Sequence, residues 1–240
     1  MLKVLIESAH KRSRGAYGPR RVQNELAAED QQVGRDRTSR LRKEMGLKCI
    51  QKRKFRITAD SKHHLPVAAN LLDQNFNVSV SGTVWGADIT YVHTDEGWLY
   101  LAGVKDFASR EILGYAMGSR MTTALAQAAL RKALRFRTPL PGCIHHSDRG
   151  SQYCAAEYRK DVDNAGMIAS KSRKGSCYDN APTENSWGHL KQELVHHRHF
   201  QTVIEALAAI REYIEIFYNR IRRHSALANT APSLFAEQYC

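Results

Sequence analysis

Apolar and polar positions change period along this chain. Residues 1–58 read as helical: PRRVQNELAAED (19–30) opens with a proline suited to a first turn. After the QQVG break, RDRTSRLRKEMG (35–46) sets Val33, Leu41, Met45 and Leu47 near one apolar side while arginines crowd the other. Two short helices around a Gly-containing turn fit a helix-turn-helix, although any basic αα-hairpin satisfies the same pattern. KCIQKRKFRITADSKHHLP (48–66) has few apolar residues and ends in proline, so it reads as a basic linker that takes in His63 and His64.

From Val84 the period becomes two. VWGADITYV (84–92), WLYLAGVKDF (98–107) and REILGYAM (110–117) are β-branched and aromatic runs separated by short polar breaks, which predicts a three-stranded antiparallel meander. A helix over 122–136, a short strand over 143–147, a helix over 155–166 and a short strand over 167–172 follow, then the polar loop SRKGSCYDN (172–180). APTENSWGHLKQELVHHR (181–198) predicts a helix with proline in its first turn. The last helix, over 202–224, opens with a Thr-x-x-Glu capping box and carries Val203, Leu207, Ile210, Ile214, Phe217 and Ile221 on one stripe. The order βββ-α-β-α-β-α predicts an α/β fold, a mixed five-stranded sheet with flanking helices, behind a small basic helical region.

The composition, 42% hydrophobic and 25% charged over 240 residues, suits a globular chain with a sizeable core. No apolar run approaches the roughly 18 residues of a membrane span, and MLKVLIESAHKRSR turns basic before a signal-peptide apolar region is complete, so the reading is cytoplasmic with no membrane partner. The five cysteines are scattered and form no CxxC pair, which supports neither a disulfide framework nor a cysteine zinc site. Charge is uneven. Residues 1–63 hold 17 Lys and Arg against 7 Asp and Glu, a net of +10, which leaves +2 for the rest. A basic segment joined to a near-neutral one suggests a part that holds a polyanion and a part that acts on it.

Three carboxylates stand out by position. Asp88 interrupts an apolar strand, where an acidic residue is unfavourable. Asp148 follows the fourth predicted strand at its C-terminal end, where open α/β sheets bind ligands, and Glu184 lies in the first turn of the helix after the polar loop. Singly they also read as a solvent-facing acid, a helix cap and a dipole partner. Together they suit hard cations such as Mg²⁺, and two such ions about 4 Å apart would serve an in-line phosphoryl displacement.

WGADITYV, HHSDRGSQY and KGSCYDNAPTENSWGHLKQE resemble the catalytic core of bacterial insertion-sequence transposases related to retroviral integrases, the DDE family with an RNase H-like fold. Between Asp88 and Asp148 lie 59 residues, and between Asp148 and Glu184 lie 35, the D…D(35)E spacing of that family. RGAYGPRRVQNEL (14–26) is similar to the helix-turn-helix-like region before the core, and YNRIRRHSAL (218–227) to the C-terminal signature.

The resemblance implies a second-reading-frame type of transposase divided into a basic helix-turn-helix-like DNA-binding region (1–63), a linker (64–83), an RNase H-like core (84–200) and a C-terminal helical extension (201–240). It implies Asp88, Asp148 and Glu184 as catalytic metal ligands for two Mg²⁺ ions, with Mn²⁺ able to substitute. DNA contacts fall to Lys191, two turns beyond Glu184, to Arg149, and to Arg20, Arg21, Arg40 and Lys43 of the basic region. His145, His146, Gln152, Tyr153, Asp179 and Asn180 sit in the same motifs and either orient ligands, touch DNA or make structural hydrogen bonds. The implied activity is metal-dependent cleavage and strand transfer on element ends and target DNA, in the nucleoid, by a homo-oligomer and with the upstream-frame helix-turn-helix protein as a possible partner. An RNase H-like nuclease and a DNA-binding remnant without turnover are the alternatives.

Overall fold

In the computed structural model, which describes residues 1–50, 65–173 and 177–239, the alternating runs form one five-stranded sheet. The reading of His63 and His64 lies outside the described residues. The strands are β1 (Val84–Thr94), β2 (Gly97–Asp106), β3 (Ile112–Gly118), β4 (Ile144–Ser147) and β5 (Ile168–Lys171), in spatial order β3-β2-β1-β4-β5. The first three pair antiparallel; β4 runs parallel to β1, and β5 parallel to β4.

Each face of the sheet carries its own core. Trp85, Ala87, Ala102 and Val104 pack on one side with α4 (Thr123–Phe136) and α6 (Ala156–Asn164), the latter preceded by the single turn α5 (Ser151–Cys154). Val92, Leu99 and Leu101 pack on the other with α7 (Ala181–Glu193) and α8 (Val203–Glu212). Thr122 and Thr202 cap α4 and α8, each accepting from the backbone N–H three residues on. The Glu205 carboxylate closes the second box one residue early, on the Gln201 N–H at 3.2 Å.

Two helices are shorter than their sequence pattern. The helix predicted to 198 ends at Glu193 and passes into a 3₁₀ turn at Val195–His197. Beyond α8 the chain winds as a π-helix over Tyr213–Ile221. The wider turn rotates successive side chains less than an α-helix does. The apolar stripe therefore drifts: Tyr213, Ile214, Phe217 and Tyr218 are buried, while Ile221 is 44% exposed.

Residues 1–50 form three helices, α1 (Leu2–Arg12), α2 (Pro19–Ala28) and α3 (Arg35–Glu44), around Ile6, Ala9, Val22 and Leu26. This unit leans on the π-helical segment: Arg14 pairs with Glu212 and stacks 4.6 Å from the Phe217 ring centroid, and Arg223 pairs with Glu25. Residues 65–83 lie along the sheet edge, where Lys171 N–H donates to the Ala69 carbonyl and Leu72 is buried with Val84 and Phe107. A last helix, α9 (Pro232–Tyr239), packs against the π-helical segment.

Candidate active site

The parallel register of β1 and β4 runs Val84↔Ile144, Trp85↔His145, Gly86↔His146 and Ala87↔Ser147. Asp88 is the next residue on β1 and Asp148 the first residue past β4, so both lie at the C-terminal end of β4. Asp148 turns the chain immediately: its Oδ1 accepts from the Gly150 N–H at 2.9 Å.

Glu184 arrives from above, in the first turn of α7. Two glycines let that helix sit low. A Cβ on Gly86 of β1 would collide with Phe107 and Thr183, and a Cβ on Gly103 of β2 would meet the Trp187 ring at 2.5 Å. Gly103 is also the cross-strand partner of Asp88. Without side chains at these two places, Thr183 and Trp187 descend onto the strands and carry Glu184 toward the aspartates.

The charges of the three groups act on one another. Burial pushes the Asp88 carboxyl well above the usual carboxylate range; Asp148 and then Glu184 push it further, against the pull of the Ile89 N–H and Lys191. Glu184 stands at the exposed rim and is raised first by partial burial of its carboxyl and then by Asp148. Among the described residues no three His, Cys, Asp or Glu side chains are gathered tightly enough to cage an ion as they stand. The donor set nevertheless fits a hard divalent cation: all oxygen, mutually repelling and lacking a bridging side-chain cation among the described residues.

Lys191 lies two turns beyond Glu184 on α7. β4 pairs with β1 only as far as Ala87, so among the described residues no strand covers that edge of β1 beyond it, and the Lys191 ammonium lies 5.0 Å from the Tyr91 ring centroid. Its charge is felt by Asp88. Arg149 is tied down, its Nε donating to the Ser172 carbonyl at 2.6 Å. In the N-terminal unit Arg20, Arg40 and Lys43 are exposed, and Arg40 lies 3.9 Å from Glu44. Arg21 is half-buried over the Tyr17 ring. A concave surface lined by Arg20, Arg21, Arg35, Ser225 and Asn229 separates this unit from the chain after the π-helix.

Four of the remaining motif residues, His145, His146, Asp179 and Gln152, make internal hydrogen bonds. His145 bonds the Tyr158 hydroxyl at 2.8 Å and His146 bonds Ser170 at 2.9 Å; both rings are buried, and burial lowers their pKa values to about 3 and about 4. Asp179 is fully buried and accepts from Arg173, Asn70 and Gln74, which fastens the 65–83 segment to the loop before α7. Gln152 donates to the Met121 carbonyl at 3.3 Å, and the Tyr153 hydroxyl and Asn180 amide are buried without a hydrogen-bond partner among the described residues. Sequence reasoning passed over Gly86, Gly103, Lys105 and Lys171. For the glycines a signal existed, since a glycine inside an apolar strand often marks close approach of another element.

Residues 79–177 match the integrase core domain family, 184–239 match a second integrase core domain family and 1–55 match the HTH-like domain family. The chain is 58% identical over 238 residues to a 31 kDa protein of insertion element IS600 from Shigella sonnei, covering 99% of this chain and 88% of that protein. It is 40% identical over 231 residues to the transposase InsF for insertion sequence IS3A from Escherichia coli strain K12, covering 96% of this chain and 80% of that one. In fold it is similar to a chain of the simian T-cell lymphotropic virus intasome, at 12% identity and a TM-score of 0.54, over 91% of this chain and 74% of that chain. With the sheet order, the HTH-like unit and these relatives in agreement, the chain belongs to the family of insertion-sequence transposases that carry an integrase core domain.

Proposed function

We propose that this chain cuts DNA at the ends of an insertion sequence and joins those ends to target DNA, using Asp88, Asp148 and Glu184 to hold two Mg²⁺ ions, or Mn²⁺ in their place. The observation that carries this reading is the register that brings Asp88 and Asp148 side by side, with Glu184 delivered over them by α7. Bound there, divalent ions would supply charge stabilisation to the attacking and leaving oxygens of an in-line displacement. The carboxylates position that charge, and none of them has to act as a nucleophile. Cleavage adds water to one phosphodiester and frees a 3′-hydroxyl; joining lets that hydroxyl attack a second phosphodiester and displaces another 3′-hydroxyl.

The N-terminal unit holds DNA through Arg20, Arg21, Arg40 and Lys43, supported by the net +10 of residues 1–63, and Lys191 and Arg149 meet the backbone near the reacting end. On this reading 1–63 is the DNA-binding region, 64–83 joins it to a core at 84–200, and 201–240 is a helical extension. The assembly that acts is an oligomer of this chain on DNA, with the upstream-frame helix-turn-helix protein as a partner, in the nucleoid. Among the described residues no helix is long and apolar enough to cross a membrane. A labelled element end incubated with target DNA and the chain, with and without the upstream-frame product, tests the proposal. Joined product that needs Mg²⁺ or Mn²⁺ and disappears in EDTA is expected. Cutting without joining would make the chain a nuclease, and binding without either would make it a remnant.

A further inference from the structure

Two lysines are buried behind the carboxylates, one on each side of the sheet. Lys105 of β2 is 5% exposed and lies across from Gly86; its ammonium donates to the Pro182 carbonyl at 2.9 Å and to Ser186 Oγ at 2.6 Å. Those two acceptors flank Glu184, two residues before it and two after. Lys171 of β5 is 3% exposed and lies across from Ser147; its ammonium donates to Ser147 Oγ at 2.6 Å and to the Tyr153 carbonyl at 2.9 Å. Ser147 Oγ in turn donates to the Asp148 carbonyl at 3.1 Å. These acceptors bracket the turn on which Asp148 sits.

Neither ammonium forms a salt bridge among the described residues; their hydrogen bonds go to neutral oxygens, with the Lys171 ammonium also 5.3 Å from the Tyr153 ring centroid. That is an unfavourable way to bury a cation if stability were its only return. The common factor is what the acceptors hold. β1 carries Asp88 inside a paired strand, whereas Asp148 and Glu184 stand on a turn and on a first helical turn, where the backbone has few partners of its own.

We propose that Lys105 and Lys171 are positioning residues, each pinning the segment that presents one outer carboxylate, Glu184 for Lys105 and Asp148 for Lys171. The inference rests on the reading of the three carboxylates as metal ligands. Its sign is distinctive. A buried positive charge near a cation site repels the cation, so replacing either lysine by a neutral residue would tighten metal binding if charge alone mattered. If the lysines set the geometry, the same replacement loosens it.

Calorimetric titration of Mn²⁺ into the full chain without DNA separates the two. Lys105→Met and Lys171→Met are each expected to raise the Mn²⁺ dissociation constant by about tenfold or more, the usual effect of losing a group that orients a metal ligand. Ser186→Ala and Ser147→Ala leave the charges in place and remove one acceptor each; they should weaken binding in the same direction, with little further loss when combined with the matching lysine variant. The serine variants keep the test open if a lysine variant does not fold. Asp88→Asn is the control. If Asp88→Asn binds Mn²⁺ like the parent, the ligand reading itself has failed. If Asp88→Asn loses binding while the lysine and serine variants bind as tightly as the parent, or more tightly, the positioning roles are overturned.

Discussion

Asp88 and Asp148 are successive to the same register pair, Ala87↔Ser147, on two parallel strands. Neighbouring strands lie about 4.8 Å apart, so the pairing that ends at Ala87↔Ser147 brings the two aspartates beside each other at the C-terminal end of β4. Burial first, and then the like charges of Asp148 and Glu184, raise the Asp88 carboxyl well above the usual carboxylate range, an unfavourable arrangement that a bound cation would relieve.

Asp88→Asn, Asp148→Asn and Glu184→Gln should therefore each abolish cutting and joining while leaving DNA affinity near the parent value. Each exchange removes ligand charge without changing shape. Filter binding and a joining assay on the same preparations check this, and parallel loss of binding in all three would indicate damaged folding instead.

Gly86→Ala and Gly103→Ala address how α7 is seated. The added methyl meets Phe107 and Thr183 in one case and Trp187 in the other, so α7 must lift or the strands must shift. Overpacking of this kind costs about 1–3 kcal/mol. Denaturant unfolding should register that loss, and joining should fall further than stability accounts for, because Glu184 rides on the displaced helix. Parental joining by a destabilised Gly86→Ala protein would show that the depth of α7 does not set the site.

Much of this arrangement could be read from residue order. Period two marked the meander, a helical period marked the flanking helices, and the places of Asp88, Asp148 and Glu184 in those elements, together with the family resemblance, singled out the carboxylates. What stayed hidden depends on contacts between distant segments. Lys105 and Lys171 look like surface lysines in sequence, and only the register of β2 and β5 puts them inside. The π-helical stretch escapes a 3.6-residue template because its turns are wider, so the stripe that ended on Ile221 gives way to burial of Arg222 against Glu193 at 2.8 Å. Residues 65–83 lack the periodicity of an element, yet Asp179 gathers Asn70 and Gln74 from them.

His145 gives a pH signature. Burial first, then Lys171 and His146, lower its pKa to about 3, against roughly 6.5 in an unfolded chain. Between those values the unfolded chain takes up a proton that the folded chain refuses. Stability is thus fully present above pH ~6.5 and declines below it by about 1.4 kcal/mol per pH unit for this group. His145→Phe removes the titration while leaving Tyr158 short of a partner. Urea unfolding from pH 7 to pH 4.5 should show a lower plateau but a shallower acid decline; an unchanged slope would assign the acid sensitivity to other groups.

Arg20, Arg40 and Lys43 are exposed on the N-terminal unit, where a DNA backbone can reach them without repacking. The triple alanine variant should weaken DNA binding and flatten its dependence on salt, by roughly 0.9 in the log–log slope for each phosphate that is no longer neutralised. Titrations at several salt concentrations measure this directly. A parental slope would move the DNA footprint onto the core.

Lys191 offers the most separable test, because its position allows two opposed roles. It lies over Tyr91 with Asp88 within reach of its charge, so it either completes the carboxylate site internally or turns outward to a phosphate of the bound end. Half-buried but without a salt bridge among the described residues, it keeps its ammonium donors available, and a cation over an aromatic face is held by only about 0.5–1 kcal/mol at partly exposed positions. A phosphate contact outweighs that hold, so the outward role is expected once DNA is present. Lys191→Ala should raise the DNA concentration needed for half-maximal joining and should not weaken Mn²⁺ binding by the free chain, since it removes a positive charge felt by Asp88. Lys191→Arg should be largely tolerated, since a guanidinium keeps the charge, meets phosphate and stacks on Tyr91. If Lys191→Ala weakens Mn²⁺ binding but leaves the DNA requirement of joining as it was, the lysine serves Asp88 and not the DNA end.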